Sequence, residues 1–404
     1  MKVSPHATSS VSGDFYDAGG RMLLPGLVDV HAHLRDFDQS YKEDFASGTS
    51  AAVAGGFTTV LDMPNSSPPV VFPEALGNRA AVAEGRILCD VGFYATARTP
   101  EDARNLARAG CVGFKVHMQK PLVGEASSSP EYFEALMASV KLVLTVHAED
   151  PSLLGSAKDG STEMLHAPEA EESGVRIALD AAEKVGGRLH IAHISTREAL
   201  SLVTAARARG VDVTCEATPH HLLLTRDDAA RNEKLFLVDP PLRREKDRMA
   251  LIRGLSSGMV QLLATDHAPH TLREKLSADP PAGFPGFETA FAVCHTLVRQ
   301  GLVRIEDLIQ AFTSTPSARF GLRDVGSIET GKRANLTLFD PRVEWTVEPS
   351  KFYSKSKYSP FEGMKLLGRI VATFVAGQLV YQDEVVLDTP LRPGRVVYGS
   401  DLRG

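Results

Sequence analysis

Between Leu23 and about Phe320 the chain alternates two kinds of apolar pattern. Short β-type runs end near His31, Asn65, Thr96, Lys115, His147, His193, Glu216 and Asp266. Between most of them lie Ala-, Leu- and Glu-rich segments with helical spacing. These predict helices over Glu43–Ala54, Pro73–Glu84, Pro100–Ala109, Pro130–Val140, Glu169–Val185, Arg197–Arg209 and Glu245–Leu255. Pro73, Pro100 and Pro130 suit first-turn positions, where a missing N–H loses no bond, and Thr99 and Ser129 can cap the latter two. Eight strands alternating with helices predict an α/β fold with right-handed crossovers, and eight is the number that closes a (β/α)8 TIM-type barrel. A doubly wound open sheet is the alternative, but it would place a ligand at one switch point instead of collecting side chains from many strands.

Two stretches interrupt the alternation. Residues 151–168, with Gly155, Gly160 and Pro168, form a longer connection in which short helices are expected. After Gly321 the runs Val325–Ile328, Ala334–Phe339 and Arg369–Val380 read as short strands joined by turns. Residues 324–404 together with 1–22 are therefore expected to form a small β subdomain built from both chain ends, beside a barrel spanning 23–323.

Composition narrows the class. A chain of 404 residues, 43% apolar and 23% charged, has the make-up of a soluble globular protein. The net charge of −6 offers nothing to a nucleic acid or an anionic membrane. No apolar run approaches the ~20 residues of a membrane helix, and the polar N-terminus lacks a secretory apolar core. Cys89, Cys111, Cys215 and Cys294 stand far apart, so reduced thiols and a cytoplasmic location are expected.

The chemistry collects at the predicted strand ends, where barrels of this kind place their working residues. His31 and His33 are two apart on one strand, so both imidazoles face one side. The other strands contribute Lys115, His147, His193 and Asp266. Four imidazoles and a carboxylate exceed what one tetrahedral zinc needs, which implies two divalent ions. Two such ions ~3.5–4 Å apart require a bridging ligand. Lys115 cannot bridge as an ammonium, but burial beside cations favours the neutral amine, which can react with CO₂. The resulting carbamate, N6-carboxylysine, offers one oxygen to each metal. Zinc is the default ion for this donor set, although cobalt, manganese and iron remain open. Arg35 follows directly, and its planar guanidinium can grip a carboxylate with two bonds.

The stretches PGLVDVHAHLRD, KEDFASGTSAAVAGGFTTVLDMPN, GFKVHM, VHAED, HIAHIS, VTCEATPHHL, LLATDHAPHT, GFPGFET and STPSARFGL together resemble the amidohydrolase superfamily, and within it the dihydroorotases that carry a strand-four lysine. The resemblance spans about Pro25 to Leu322. It implies α-metal ligation by His31, His33 and Asp266, β-metal ligation by His147 and His193, and a bridge at carboxylated Lys115. It implies further that Arg35, Asn65 and His270 hold a substrate carboxylate, with Ala282 and Gly283 touching the ring through their backbones. His267 is expected to support Asp266 or its loop. Where many relatives have Asn-Pro-Pro-Leu-Arg, with the Asn near the ring, this chain has Asp239-Pro240-Pro241-Leu242-Arg243; Asp239 is expected to keep that substrate contact, although it puts a negative charge beside an anionic substrate. Ala192 replaces a cysteine that in the animal-type relatives accompanies a third zinc near the position of Glu216. The loop His117–Ser127 lacks the Thr-Phe pair that closes over substrate in some relatives, though Gly124 leaves room for a lid of other composition.

The activity so implied is reversible hydrolysis of the cyclic amide of dihydroorotate to N-carbamoyl-L-aspartate, a step of de novo pyrimidine biosynthesis. On that reading two metals would supply the hydroxide for attack, and Asp266 would shuttle the proton. Rival readings are an allantoinase or a hydantoinase/dihydropyrimidinase on the same scaffold. Arg35 argues against both, since their substrates carry no ring carboxylate. A non-catalytic scaffold for aspartate transcarbamoylase would lack ligands that this chain retains. Homodimerisation and association with that transferase are left open by the sequence.

Overall fold

The strand-forming runs pair in chain order in the computed structural model, which describes residues 16–155, 166–389 and 391–399. One parallel group joins β2 (Leu27–Ala32), β3 (Phe57–Asp62) and β4 (Asp90–Phe93). A second joins β5 (Phe114–His117), β6 (Leu144–His147), β7 (Leu189–Ile191), β8 (Val213–Ala217) and β9 (Leu262–Leu263). Single parallel bridges, Ala95 with Phe114 and Ala32 with His267, close the two groups into one ring of eight. This is the (β/α)8 barrel.

The seven predicted helices form with no boundary off by more than two residues. Their ends have local causes. The Thr99 side chain accepts from the Asp102 N–H at 3.1 Å and that of Ser129 from the Tyr132 N–H at 3.2 Å, each beside a first-turn proline. In the long connection a single 3-10 turn, Pro151–Leu153, is present, and residues 156–165 lie outside the described part. Among the described residues no helix is long and apolar enough to cross a membrane. All four cysteines are buried, and none is bonded to another.

The second sheet is antiparallel, in the order β1 (Met22–Pro25), β10 (Leu336–Thr346), β11 (Lys365–Val375), β12 (Gln378–Gln382), β13 (Val385–Val386). Both chain ends feed it, with three departures from the sequence reading. First, β1 lies in this sheet, so one extended run changes sheets at Gly26, where a Cβ would collide with the Thr58 side chain. Second, Val325–Ile328 is a turn: Gly326 takes φ +84°, and its Cα packs against Ser317. Third, residues 394–399 leave the subdomain altogether. Their strand β14 (Val396–Val397) pairs in parallel with β4, and Gly399 N–H reaches the Gly110 carbonyl at 3.1 Å. The bonds from β4 to the β5 side begin at Phe93, so the earlier part of β4 presents an open edge, and residues 394–399 cover it. Residues 1–15 and 400–404 are outside the described part.

The sheet packs on the barrel through helix Phe287–Arg299, with Phe291 edge-on to Phe339 at 4.9 Å and His295 Nδ1 2.9 Å from the Leu367 carbonyl oxygen. From it the β10–β11 connection reaches the C-terminal mouth of the barrel, where the unusual residues gather.

Candidate metal centre and substrate cavity

Strand alternation does what the spacing implied: His31 and His33 face the same side of β2, ring centroids 5.6 Å apart. Their Nε2 atoms each lie 3.4 Å from Asp266 Oδ1, and the three donors sit within 4.8 Å of one another. Lys115 Nζ is 3.4 Å from His31 Nε2. The His193 ring stands 5.1 Å from that of His31 and 4.5 Å from that of His147. All six residues singled out from the strand ends therefore converge.

Each ring but one is fixed from behind. His31 Nδ1 donates to Glu216 Oε1 at 2.5 Å, His33 Nδ1 to Asn65 Oδ1 at 2.8 Å, and His147 Nε2 to Glu149 Oε2 at 2.6 Å. The opposite nitrogens are left facing inward. His193 Nδ1 is buried with no partner among the described residues. Burial lowers His31 to about 4 and depresses His33 and His193 well below the usual range, so these rings are neutral, the form that binds a cation. Two neutral imidazoles and a carboxylate, those of His31, His33 and Asp266, fit a divalent cation.

Lys115 is fully buried and does not reach solvent. Burial lowers it to about 8, against the pull of Glu216 and Asp266, which keeps a usable fraction as free amine. Burial pushes Glu216 up, but His31 and His190 outweigh it and hold its carboxyl far below the ordinary range. Its second oxygen is 2.9 Å from His190 Nε2, so both oxygens serve histidines.

Two of the six sit in left-handed backbone, Asp266 at φ 48° and His193 at φ 31°. Buried Asp29 helps hold the first. It takes the Thr265 hydroxyl, the Thr265 N–H at 3.2 Å and the His31 N–H at 3.1 Å, tying β2 to the residue before Asp266. His267, as expected, braces the loop: it stacks on Phe287 at 4.0 Å, accepts the Gly286 N–H at 3.1 Å, and its carbonyl accepts the His33 N–H at 2.8 Å.

Above these side chains opens a cavity of about 390 Å³. Arg35 lines it, buried, with Nη2 3.2 Å from His270 Nε2 and Nε donating to the Pro269 carbonyl at 3.3 Å. Among the described residues no carboxylate lies within ion-pair distance of its guanidinium. Arg35, Asp36 and Phe37 run at φ 57°, 60° and 50°, a strained stretch. The buried Asp62–Arg79 pair secures it: Asp62 takes the Leu34 N–H and Arg79 donates to the Arg35 carbonyl, both at 2.8 Å. Lys42 donates to His270 Nδ1 at 3.2 Å, and His270 Nε2 donates to the Ala282 carbonyl at 3.0 Å.

Three expected substrate residues look different in place. Asn65 lines the cavity, but its side-chain oxygen is taken by His33, leaving the amide N–H groups for a ligand. Asp239 lines it too, with Oδ1 3.4 Å from His166 Nε2, and His166 Nδ1 is 3.1 Å from Glu149. Burial lowers His166, but Glu149 and Asp239 outweigh it and raise it above the ordinary imidazole range, which favours its charged form beside Asp239. The Gly283 N–H donates to the Leu237 carbonyl at 2.9 Å. A positive φ of 115° and a Cβ path blocked by Ala268 make glycine necessary there, and its carbonyl accepts from Tyr358 Oη at 3.2 Å.

Sequence reasoning overlooked Gln39, His117, Gln119, Lys120 and Leu122, which also line the cavity. His117 was findable: it lies two residues past Lys115 on β5, the spacing that revealed His31 and His33. Gln119, Lys120 and Leu122 belong to the loop whose Thr-Phe pair is missing.

The amidohydrolase family model matches residues 22–380. The chain is 36% identical over 400 residues to the dihydroorotase of Lactobacillus acidophilus, covering 95% of this chain and 93% of that one. It is 38% identical over 386 residues to the dihydroorotase of an Anaeromyxobacter species, covering 91% and 88%. Among solved structures it is similar to the L-hydantoinase (dihydropyrimidinase) of Arthrobacter aurescens, with a TM-score of 0.91, 29% identity, and coverage of 97% and 92%.

Proposed function

The chain belongs to the amidohydrolase family, and from that premise we propose that this metal-dependent cyclic amidohydrolase is a dihydroorotase, hydrolysing dihydroorotate to N-carbamoyl-L-aspartate and closing the ring in reverse. The observation that carries the substrate is Arg35. A buried guanidinium with no carboxylate at ion-pair distance among the described residues, opening on the same cavity as His31, His33, His147, His193 and Asp266, is a costly arrangement unless an anion completes it. Dihydroorotate brings a carboxylate on the ring whose amide is cut. Dihydropyrimidines, hydantoins and allantoin bring none at that place.

His31, His33 and Asp266 would hold one divalent ion and His147 and His193 the other, with Lys115 between them as its carbamate. The carbamate forms when the free amine adds to CO₂ and loses a proton, which replaces a cation by an anion with two oxygens. Zinc suits this nitrogen and oxygen set. When bound, the pair acidifies water and polarises the amide carbonyl. Asp266 takes the proton of the attacking water and returns it to the departing ring nitrogen. Arg35, the Asn65 amide and the His270 Nε2–H, shared with the Ala282 carbonyl, grip the carboxylate, so that the ring amide, not the acid, faces the strand ends.

Side-by-side turnover of dihydroorotate, 5,6-dihydrouracil, hydantoin and allantoin tests the reading. Dihydroorotate should be preferred by orders of magnitude. Faster turnover of an uncharged ring would overturn it in favour of the hydantoinase reading.

A further inference from the structure

The β10–β11 connection, residues 347–364, does more than join two strands. Phe352, Tyr358 and Phe361 pack in one apolar cluster with Val238, Leu242 and Phe284, residues on or beside the loops that line the cavity. Lys355 pairs with Asp44 at 2.6 Å, and the Ser354 hydroxyl donates to Glu43 at 2.5 Å, so the connection also grips the segment following Arg35. Between these anchors two hydroxyls face backbone carbonyls of the cavity wall. Ser356 Oγ donates to the His270 carbonyl at 2.6 Å, and Tyr358 Oη to the Gly283 carbonyl at 3.2 Å. Both residues are almost wholly buried, at 1% exposure each, which leaves no water to substitute for either hydroxyl.

Physical reasoning gives these bonds a purpose. The loops at 268–271 and 281–284 follow β9 and have no strand ladder to satisfy their carbonyls. A buried carbonyl without a donor is costly, and a loop held only by its ends drifts. Lys275 meets the same need nearby, donating to the Leu237 carbonyl at 2.7 Å and the Pro281 carbonyl at 3.0 Å. Burial keeps the Tyr358 phenol protonated, so it remains a donor.

We propose that Ser356 and Tyr358, carried by the second subdomain, are positioning residues that hold His270 and the Ala282–Gly283 wall against the substrate carboxylate and thereby set substrate affinity. The inference rests on the dihydroorotase reading, and it assigns the β subdomain a part in substrate recognition at the barrel mouth.

The test is steady-state kinetics on dihydroorotate with S356A and Y358F, each with bound metal measured per chain. Either loss of one hydrogen bond should raise KM about three- to tenfold. In both, kcat should stay within about twofold of the parent because the reacting groups are untouched. Metal content should equal the parent's, and S356T should restore KM. In an H270A background S356A should add nothing to KM, since its route runs through His270. An active parent whose variants keep the parental KM, or lose kcat and metal instead, overturns the inference alone. An additive effect of S356A on H270A also overturns it. A parent that does not turn over dihydroorotate overturns the dihydroorotase reading, and the inference with it.

Discussion

The floor and the wall of the cavity are built on different principles. Floor residues stand on or just past strand ends, which the barrel's own hydrogen bonds hold in place, and three of the imidazoles are backed by a carboxylate or amide oxygen. Wall residues stand on loops that owe their shape to distant partners: Arg79 behind Arg35, Lys42 behind His270, Tyr358 behind Gly283. Rigid strand ends suit groups that must converge within a few ångströms of reacting atoms. Braced loops suit groups that recognise the rest of a substrate and differ between enzymes sharing one scaffold. That division is consistent with a chain that superposes on a hydantoinase while being more similar in sequence to dihydroorotases.

If the division is real, floor and wall changes should separate in kinetics. The largest effect belongs to the floor: D266N should lower kcat by about 10²–10⁴-fold, read by steady-state turnover. A wall change such as R35Q should instead raise KM about ten- to hundredfold with a smaller effect on kcat. E149Q, which loosens the grip on His147, should weaken metal affinity about 10- to 100-fold, measured by chelator competition.

Lys115 supplies a pH test of the floor. Its amine is lowered to about 8, so the neutral form is the minority below that pH and the majority above it. Recovery of activity in stripped protein given zinc at fixed dissolved CO₂ should therefore quicken with pH, about tenfold per unit, and level off above about 8. A rate independent of pH would remove the carbamate from the account. The smallest effect is expected at Asp239. Because His166 Nε2 lies 3.4 Å from its carboxylate, D239N should change KM for dihydroorotate about fivefold or less. A larger improvement would show the negative charge to be uncompensated.

The sequence alone was enough for the barrel, the bounds of seven of its helices and the six converging residues, though helix Phe287–Arg299 was not read from it. Each follows from a local rule: periodicity of 2 or 3.6, proline and cap chemistry at helix starts, and the placing of working residues at strand ends. His117 obeys the same rule and could have been read. Tertiary structure alone decided the rest. The Asp239–His166 contact spans 73 positions, the Ser356–His270 bond 86, and Asp29 reaches Thr265 across 236. The turn at Gly326 and the insertion of 394–399 beside β4 likewise answer to packing and an open strand edge elsewhere in the molecule. Periodicity reports what a residue does for its own element. Which carbonyl, ring or strand edge lacks a partner is settled only when elements far apart in the chain meet, and there the wall of this site is made.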